Sequence, residues 1–279
     1  MTLLSKMIIY LKTQAEISGF KKAGKEASRI LNILLNTVQA NVTTEELNST
    51  AIKECQQINA IPTFLNYQGF PASICTSINK ILVHGIPNTK KLEIDDLLSI
   101  DLGVTIDGFI GDVAATISVP EYSKNSIINS YQGWTYFHVL TPVFVNNSNL
   151  IAACKAALHE AIKKAKPNNK LSDISRAIKT IANKHKFSTP IQYGGHGINR
   201  FALHAQPYIP NDPQLIEEDV TLYPGMVLAI EPMFIDSKSG ATEVLSDKWS
   251  VLAQGNAVHF EHTILVTNND PIILTDLEE

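Results

Sequence analysis

The apolar positions of residues 14–38 recur at helical spacing: Ile17, Phe20, Ala23, Ala27, Ile30, Leu31, Leu34 and Val38 form one stripe. That stripe predicts an amphipathic helix with one face on a core. Thr13 with Glu16 fits a capping box, which supplies acceptors for the first free amides. Thr43 with Glu46 repeats the signature ahead of a second helix over about 44–59. Short β-rich runs follow at 73–78 and 81–86. Two longer runs, 98–106 and 109–119, flank Asp107-Gly108. They predict a hairpin, because a two-residue turn needs positive φ at both positions and Asp-Gly supplies it. Residues 120–149 are irregular and rich in Asn, Ser, Tyr and Pro. Helical spacing returns at 150–165 and 172–185, and strands are predicted at 226–231, 233–235, 249–253 and 257–267. There is no repeat, low-complexity tract or clear linker. Helices and antiparallel strands mix throughout, so the expected class is α+β, with residues 1–12 an N-terminal extension and first strand and 13–279 a single domain.

Composition narrows this little. Hydrophobic residues at 44% and charged residues at 18% suit a compact enzyme and argue against disorder. A net charge of -4 gives no electrostatic reason to expect nucleic-acid binding. The locally basic Lys21, Lys22, Lys25 and Arg29 are read as a solvated helix face. Three cysteines, with no two in a CxxC pair, argue against a disulfide framework or a cysteine-rich zinc module and suit a reducing compartment. No apolar run is long enough to span a membrane, and Lys6 and Lys12 interrupt the first dozen residues, so no signal peptide is read there and a cytoplasmic location is expected.

The candidate chemistry begins in the hairpin. With Asp107-Gly108 as the turn, Gly103 faces Asp112 and Asp101 faces Ala114. Strand alternation then puts Asp101 and Asp112 on one face as diagonal neighbours, with space at Gly103 beside Asp112. Two carboxylates on one face repel each other and resist burial, and a bridged metal pair would compensate. A solvated face is the other reading. Gly194-Gly195-His196-Gly197 is read as a glycine-rich loop, its histidine either a metal ligand or structural. Glu231 ends an apolar run before Pro232, and Glu261 lies inside a strand-like run. Either acid alone could sit at a sheet edge. Cys75 is most simply a small core residue. Taken together, Asp101, Asp112, His196, Glu231 and Glu261 make an oxygen-rich donor set that favours divalent ions of the manganese, iron or cobalt class over a thiolate zinc site.

The motifs carry a resemblance. Ile74-Cys75-Thr76-Ser77-Ile78-Asn79 through His84-Gly85-Ile86-Pro87, Ile100-Asp101-Leu102-Gly103 and Gly108-Phe109-Ile110-Gly111-Asp112 come first. Gly195-His196-Gly197-Ile198, Ile230-Glu231-Pro232-Met233 and Phe260-Glu261-His262-Thr263-Ile264 follow in order. The set resembles type I methionine aminopeptidase of the M24 metallopeptidases, in the short form without an N-terminal zinc finger, over about 7–267. The resemblance implies the pita-bread fold, two pseudo-symmetric halves around a dinuclear metal site. It implies Asp101, Asp112, His196, Glu231 and Glu261 as ligands of two divalent ions, Asp112 and Glu261 bridging. It implies Glu231, His84 and His204 as catalytic residues, the two histidines near the scissile amide. Tyr67, Phe70, Cys75 and Trp249 would line a methionine pocket, with Phe64 and Leu203 beside them. The implied reaction releases methionine from nascent chains whose second residue is small, by a monomer that meets its substrates at the ribosome surface.

The sequence departs from the family pattern at Asn199, where glycine is usual, and at Ala205, where glutamate is usual. One extra residue lies between His196 and His204, and 120–149 is longer than in short relatives. Two competing readings remain at this level: a proline-type aminopeptidase or dipeptidase of the same fold, and a catalytically silent binding module.

Overall fold

The computed structural model describes residues 12–122 and 147–276. The extension and first strand expected within 1–12, apart from Lys12, lie outside the described residues, as does most of 120–149.

Both capping boxes form. Thr13 caps α1 (Gln14–Thr37) and Thr43 caps α2 (Thr44–Gln57), each exchanging hydrogen bonds with the glutamate three residues on. The stripe on α1 is buried through Phe20, Ala27, Ile30, Leu31 and Leu34, while Lys21, Lys22 and Lys25 are exposed. After α2 come β1 (Ile61–Pro62), β2 (Cys75–Ile78), β3 (Ile81–Val83) and the long hairpin β4 (Leu97–Ile106) and β5 (Phe109–Ser118). Its turn has φ of 52° at Asp107 and 82° at Gly108, and Gly103 pairs with Asp112 and Asp101 with Ala114, as expected from the turn.

The second half of the chain repeats the order of a helix pair followed by strands. Helices α3 (Ser148–Ile162) and α4 (Leu171–His185) precede β6 (Gly194–Asn199), β7 (Ala202–Pro210), β8 (Val227–Ile230) and β9 (Met233–Ile235). Then come β10 (Thr242–Val244), β11 (Val251–Ala253), β12 (Ala257–His259), β13 (Glu261–Leu265) and β14 (Ile272–Ile273). A nine-stranded sheet runs β1-β4-β5-β13-β8-β6-β7, with β2 also on β4 and β14 on β13. The architecture is the pita-bread α+β fold. Helices α1, α2, α3 and α4 all contribute to one continuous apolar core with the sheet, through Leu31, Leu47, Leu158 and Ile178 among others.

Three expectations need correction. The Gly194–Gly197 run is a strand: its glycines let β6 lie close to both neighbours, since a Cβ at Gly195 would meet Ala229 O at 2.3 Å and one at Gly197 would meet Gln206 O at 2.1 Å. The run expected over 257–267 divides at Phe260, whose amide leaves the ladder for Pro232 O. The space at Gly103 is taken by Thr63 and Phe64.

Helix α1 crosses the hairpin at a glycine pair. A Cβ on Gly111 would stand 2.5 Å from Gly24 Cα and 2.6 Å from its nitrogen, both backbone atoms. Overpacking at such a contact costs roughly 1–3 kcal/mol. Gly111→Ala is therefore expected to lower the melting temperature by several degrees, measured by thermal denaturation. A variant that melts with the wild type would show that α1 shifts freely on the sheet.

Candidate active site

Strand registers bring the separated acids together. Along one rung Cys75 pairs with Asp101, Asp101 with Ala114, and Ala114 with Glu261. Continuing the β13–β8 register past His262 and Ile230 sets Glu231 opposite Glu261. The adjacent rung on the same face runs Gly103, Asp112, Thr263, Ala229 and His196, because Asp112 is tied to Thr263 through its hydroxyl. Direct pairing of β5 with β13 is short. On one side of it the Thr263 hydroxyl accepts from the Asp112 amide and donates to the Asp112 carbonyl. On the other, the Thr116 hydroxyl does the same for His259. Two threonine side chains thus replace ladder bonds on either side of Glu261. Behind Glu231, the buried Asn211 side chain donates to the Glu231 carbonyl at 3.1 Å and accepts from Met233 N at 2.7 Å, which fixes the backbone across Pro232.

The four acids and His196 line one cavity of about 460 Å³. Every site residue named from the sequence is on its wall: Asp101, Asp112, His196, Glu231, Glu261, His84, His204, Tyr67, Phe70, Cys75, Trp249, Phe64 and Leu203. Phe70 meets Trp249 edge-on with centroids 5.2 Å apart, forming the apolar side. His84 stands 6.5 Å from the Trp249 ring and 5.8 Å from Tyr193. Its φ of 58° turns the chain sharply as it leaves β3, a conformation that costs about 1–3 kcal/mol for such a residue and collects at functional sites. His204 lies with its ring 4.4 Å from that of His196, and its Nδ1 is 3.1 Å from the Tyr67 hydroxyl. Around it the register of β7 against β6 shifts twice between His196 and Asn199. The turn ahead of it docks on the hairpin tip, Phe201 N donating to Gly108 O at 2.8 Å and Arg200 Nη2 to Asp107 O at 3.0 Å.

The sequence reading missed His259, Tyr193, Met233 and Tyr208 on the cavity wall. His259 had a signal, since it lies two residues before Glu261 and alternation sends both to one face. Asn211 had none, because its role depends on a contact across the fold.

Burial dominates the electrostatics. It raises Asp101 to about 7 and holds Asp112, Glu231 and Glu261 well above the ordinary carboxylate range, with their mutual repulsion adding to the effect at Asp112 and Glu261. It lowers His84 to about 4 and His196 to about 3, and the neighbouring imidazoles push both in the same direction. Asp101 Oδ1, Asp112 Oδ1, Glu261 Oε1 and His259 Nε2 are buried without a hydrogen-bond partner. Four carboxyls beside imidazole nitrogens, three of them (Asp101, Asp112 and Glu261) with a buried oxygen that lacks a partner, fit a divalent cation site. Two groups of donor atoms lie within 4.8 Å of one another, Asp112 with His196 and Glu261, and Glu231 with His259 and Glu261.

Comparison with known proteins agrees with this geometry. Residues 18–268 match metallopeptidase family M24. A methionine aminopeptidase of Aquifex aeolicus is 36% identical, over 97% of this chain and 100% of that protein. The crystal structure of methionine aminopeptidase from Rickettsia prowazekii is 34% identical, covering 96% of this chain and 100% of that one, with a TM-score of 0.83. A prolidase from Pyrococcus furiosus shares the fold, at a TM-score of 0.69 and 20% identity over 96% of this chain and 66% of its own. No helix among the described residues is long and apolar enough to cross a membrane.

The carboxyls also set a pH dependence. A raised carboxyl pKa contributes stability that is complete below the ordinary value and lost as pH rises through the raised one, about 7 for Asp101. The lowered histidines contribute oppositely: complete above their ordinary 6.5, lost as pH falls toward 4 and 3. Among the carboxyls and histidines of the cavity, only the carboxyl contribution still changes above pH 7, while Lys12, outside the cavity and lowered to about 8 by burial, works against it there. The metal-free protein is expected to lose melting temperature between pH 7 and 8, and added divalent metal to remove that loss. A metal-free melting curve that holds level or rises over this interval contradicts the assignment.

Proposed function

The chain belongs to metallopeptidase family M24 and, within it, to the methionine aminopeptidases, and from that membership we propose how its cavity releases the first methionine of a polypeptide. Asp101, Asp112, His196, Glu231 and Glu261 would hold two divalent ions of the cobalt, manganese or iron class. The observation that carries this is the gathering of four carboxyls in one cavity, three of them with a buried oxygen that lacks a partner. Their four negative charges balance two divalent ions. When bound, such ions supply Lewis-acid chemistry, polarising an amide carbonyl and bringing the pKa of water near neutrality.

The chain's own residues do the rest. Glu231 accepts the proton of the attacking water and returns it to the leaving amine. With the Tyr67 hydroxyl donating to Nδ1 of a neutral His204, the remaining proton sits on Nε2 and can be offered to the carbonyl oxygen. His84, also neutral, faces the same space from β3 and contacts the amide. Tyr67, Phe70, Cys75 and Trp249 receive the methionine side chain, and burial keeps the Cys75 thiol protonated and inert. The substrates are the N-termini of nascent polypeptides with a small second residue. Three buried, unpaired cysteines support a reducing, cytoplasmic location. The proline-type reading is not favoured: the relatives matched end to end are methionine aminopeptidases, and the prolidase likeness shows the fold alone.

Metal-reconstituted protein is expected to release methionine from Met-Ala-Ser and to leave Ala-Pro peptides largely intact, followed by chromatography of the products. Equal or faster cleavage of Ala-Pro peptides would reverse the assignment. Asp112→Ala and Glu231→Ala should abolish turnover at saturating metal. His204→Ala should lower kcat roughly ten- to a thousandfold with metal affinity nearly intact, the range for one lost transition-state hydrogen bond. Wild-type kcat in that variant would remove His204 from the mechanism.

A further inference from the structure

Beyond the five expected donors, one further imidazole, that of His259, stands within 4.8 Å donor-atom reach of two of the acids. His259 is 2% exposed, at the end of β12, and lines the same cavity as Glu261 two residues on. Its backbone is clamped at both polar atoms by the Thr116 hydroxyl, at 2.9 Å each. Its Nε2 lies 3.3 Å from Glu231 Oε2 and 4.0 Å from Glu261 Oε2. Despite the short distance this nitrogen makes no hydrogen bond, so the two donor atoms converge on a common space without meeting head-on. A buried imidazole nitrogen left without a partner is costly. Donor atoms on one ion, each about 2.1 Å from it, stand roughly 3.0–3.4 Å apart, which is the separation of His259 Nε2 from Glu231 Oε2.

The wider arrangement has the same sense. The two candidate donor groups contain one imidazole each, His196 in one and His259 in the other, and both contain Glu261. Glu231 stands between the rings, with Oε1 3.5 Å from His196 Nε2 and Oε2 turned to His259. Resting on the two-cation reading of this cavity, we propose that His259 Nε2 is a sixth protein donor, giving the ion held by Glu231 and Glu261 a nitrogen ligand of its own. This differs from the set implied by family resemblance, in which His196 is the one imidazole for both ions.

Metal-free protein and its His259→Gln and His259→Ala variants, titrated with cobalt(II) in a calorimeter, test this. Both variants should bind the second ion at least about tenfold more weakly and change the visible absorption of bound cobalt. Glutamine keeps an N–H that can orient Glu231, so a His259→Gln variant with wild-type affinities and spectrum would reduce His259 to a positioning residue and overturn the proposal. A measurement on the unmutated protein guards against misfolding of the variants. Proton NMR of the dicobalt wild type should show two strongly shifted, exchangeable imidazole N–H resonances, and a single one overturns the assignment. The outcomes separate from the activity: two shifted imidazoles in a protein that releases no methionine support the ligand and refute the aminopeptidase reading. An active enzyme with one shifted imidazole refutes the ligand alone.

Discussion

Four carboxyl groups packed into one cavity are the constraint on which the rest of this structure depends. Asp112, Glu231 and Glu261 are each less than a tenth exposed, and Asp101 has a buried, unpartnered oxygen. Left ionised, they repel through a medium that screens poorly. Left protonated, Asp101, Asp112 and Glu261 each keep a buried oxygen without a hydrogen-bond partner. Either state costs the folded chain stability that only a compensating positive charge restores. A site of this kind trades stability of the empty protein for a strong field when loaded.

The sheet makes the arrangement possible. Acids that are far apart in the chain arrive on two adjacent rungs because β5, β13 and β8 stay in register. The Thr116 and Thr263 hydroxyls stand in for ladder bonds on either side of Glu261. The Asn211 amide performs a related task where Pro232 removes a backbone donor after Glu231. These neutral groups hold the acid-bearing backbone so that the acids themselves remain available.

How much of this was legible in sequence follows from which contacts are local. The hairpin was, down to the pairing of Asp101 with Ala114, because a two-residue turn and period-two alternation fix the register without distant partners. The two capping boxes were legible for the same reason. The strand character of Gly194–Asn199 was not, since glycines carry no alternation and β6 exists only through its neighbours β7 and β8. The break at Phe260 arises from a bond to Pro232 O across the fold. Motif resemblance recovered the acids and His196, but it could not reveal His259, which lies outside the quoted motifs.

The central claim is that the buried acid cluster is a site for two cations. Anomalous diffraction from crystals grown with manganese or cobalt tests it most directly. The account predicts two peaks about 3.5–4 Å apart in the cavity, with Glu261 reaching both. A single peak, or an empty cavity in which Asp101, Asp112 and Glu261 share protons among themselves, would contradict it.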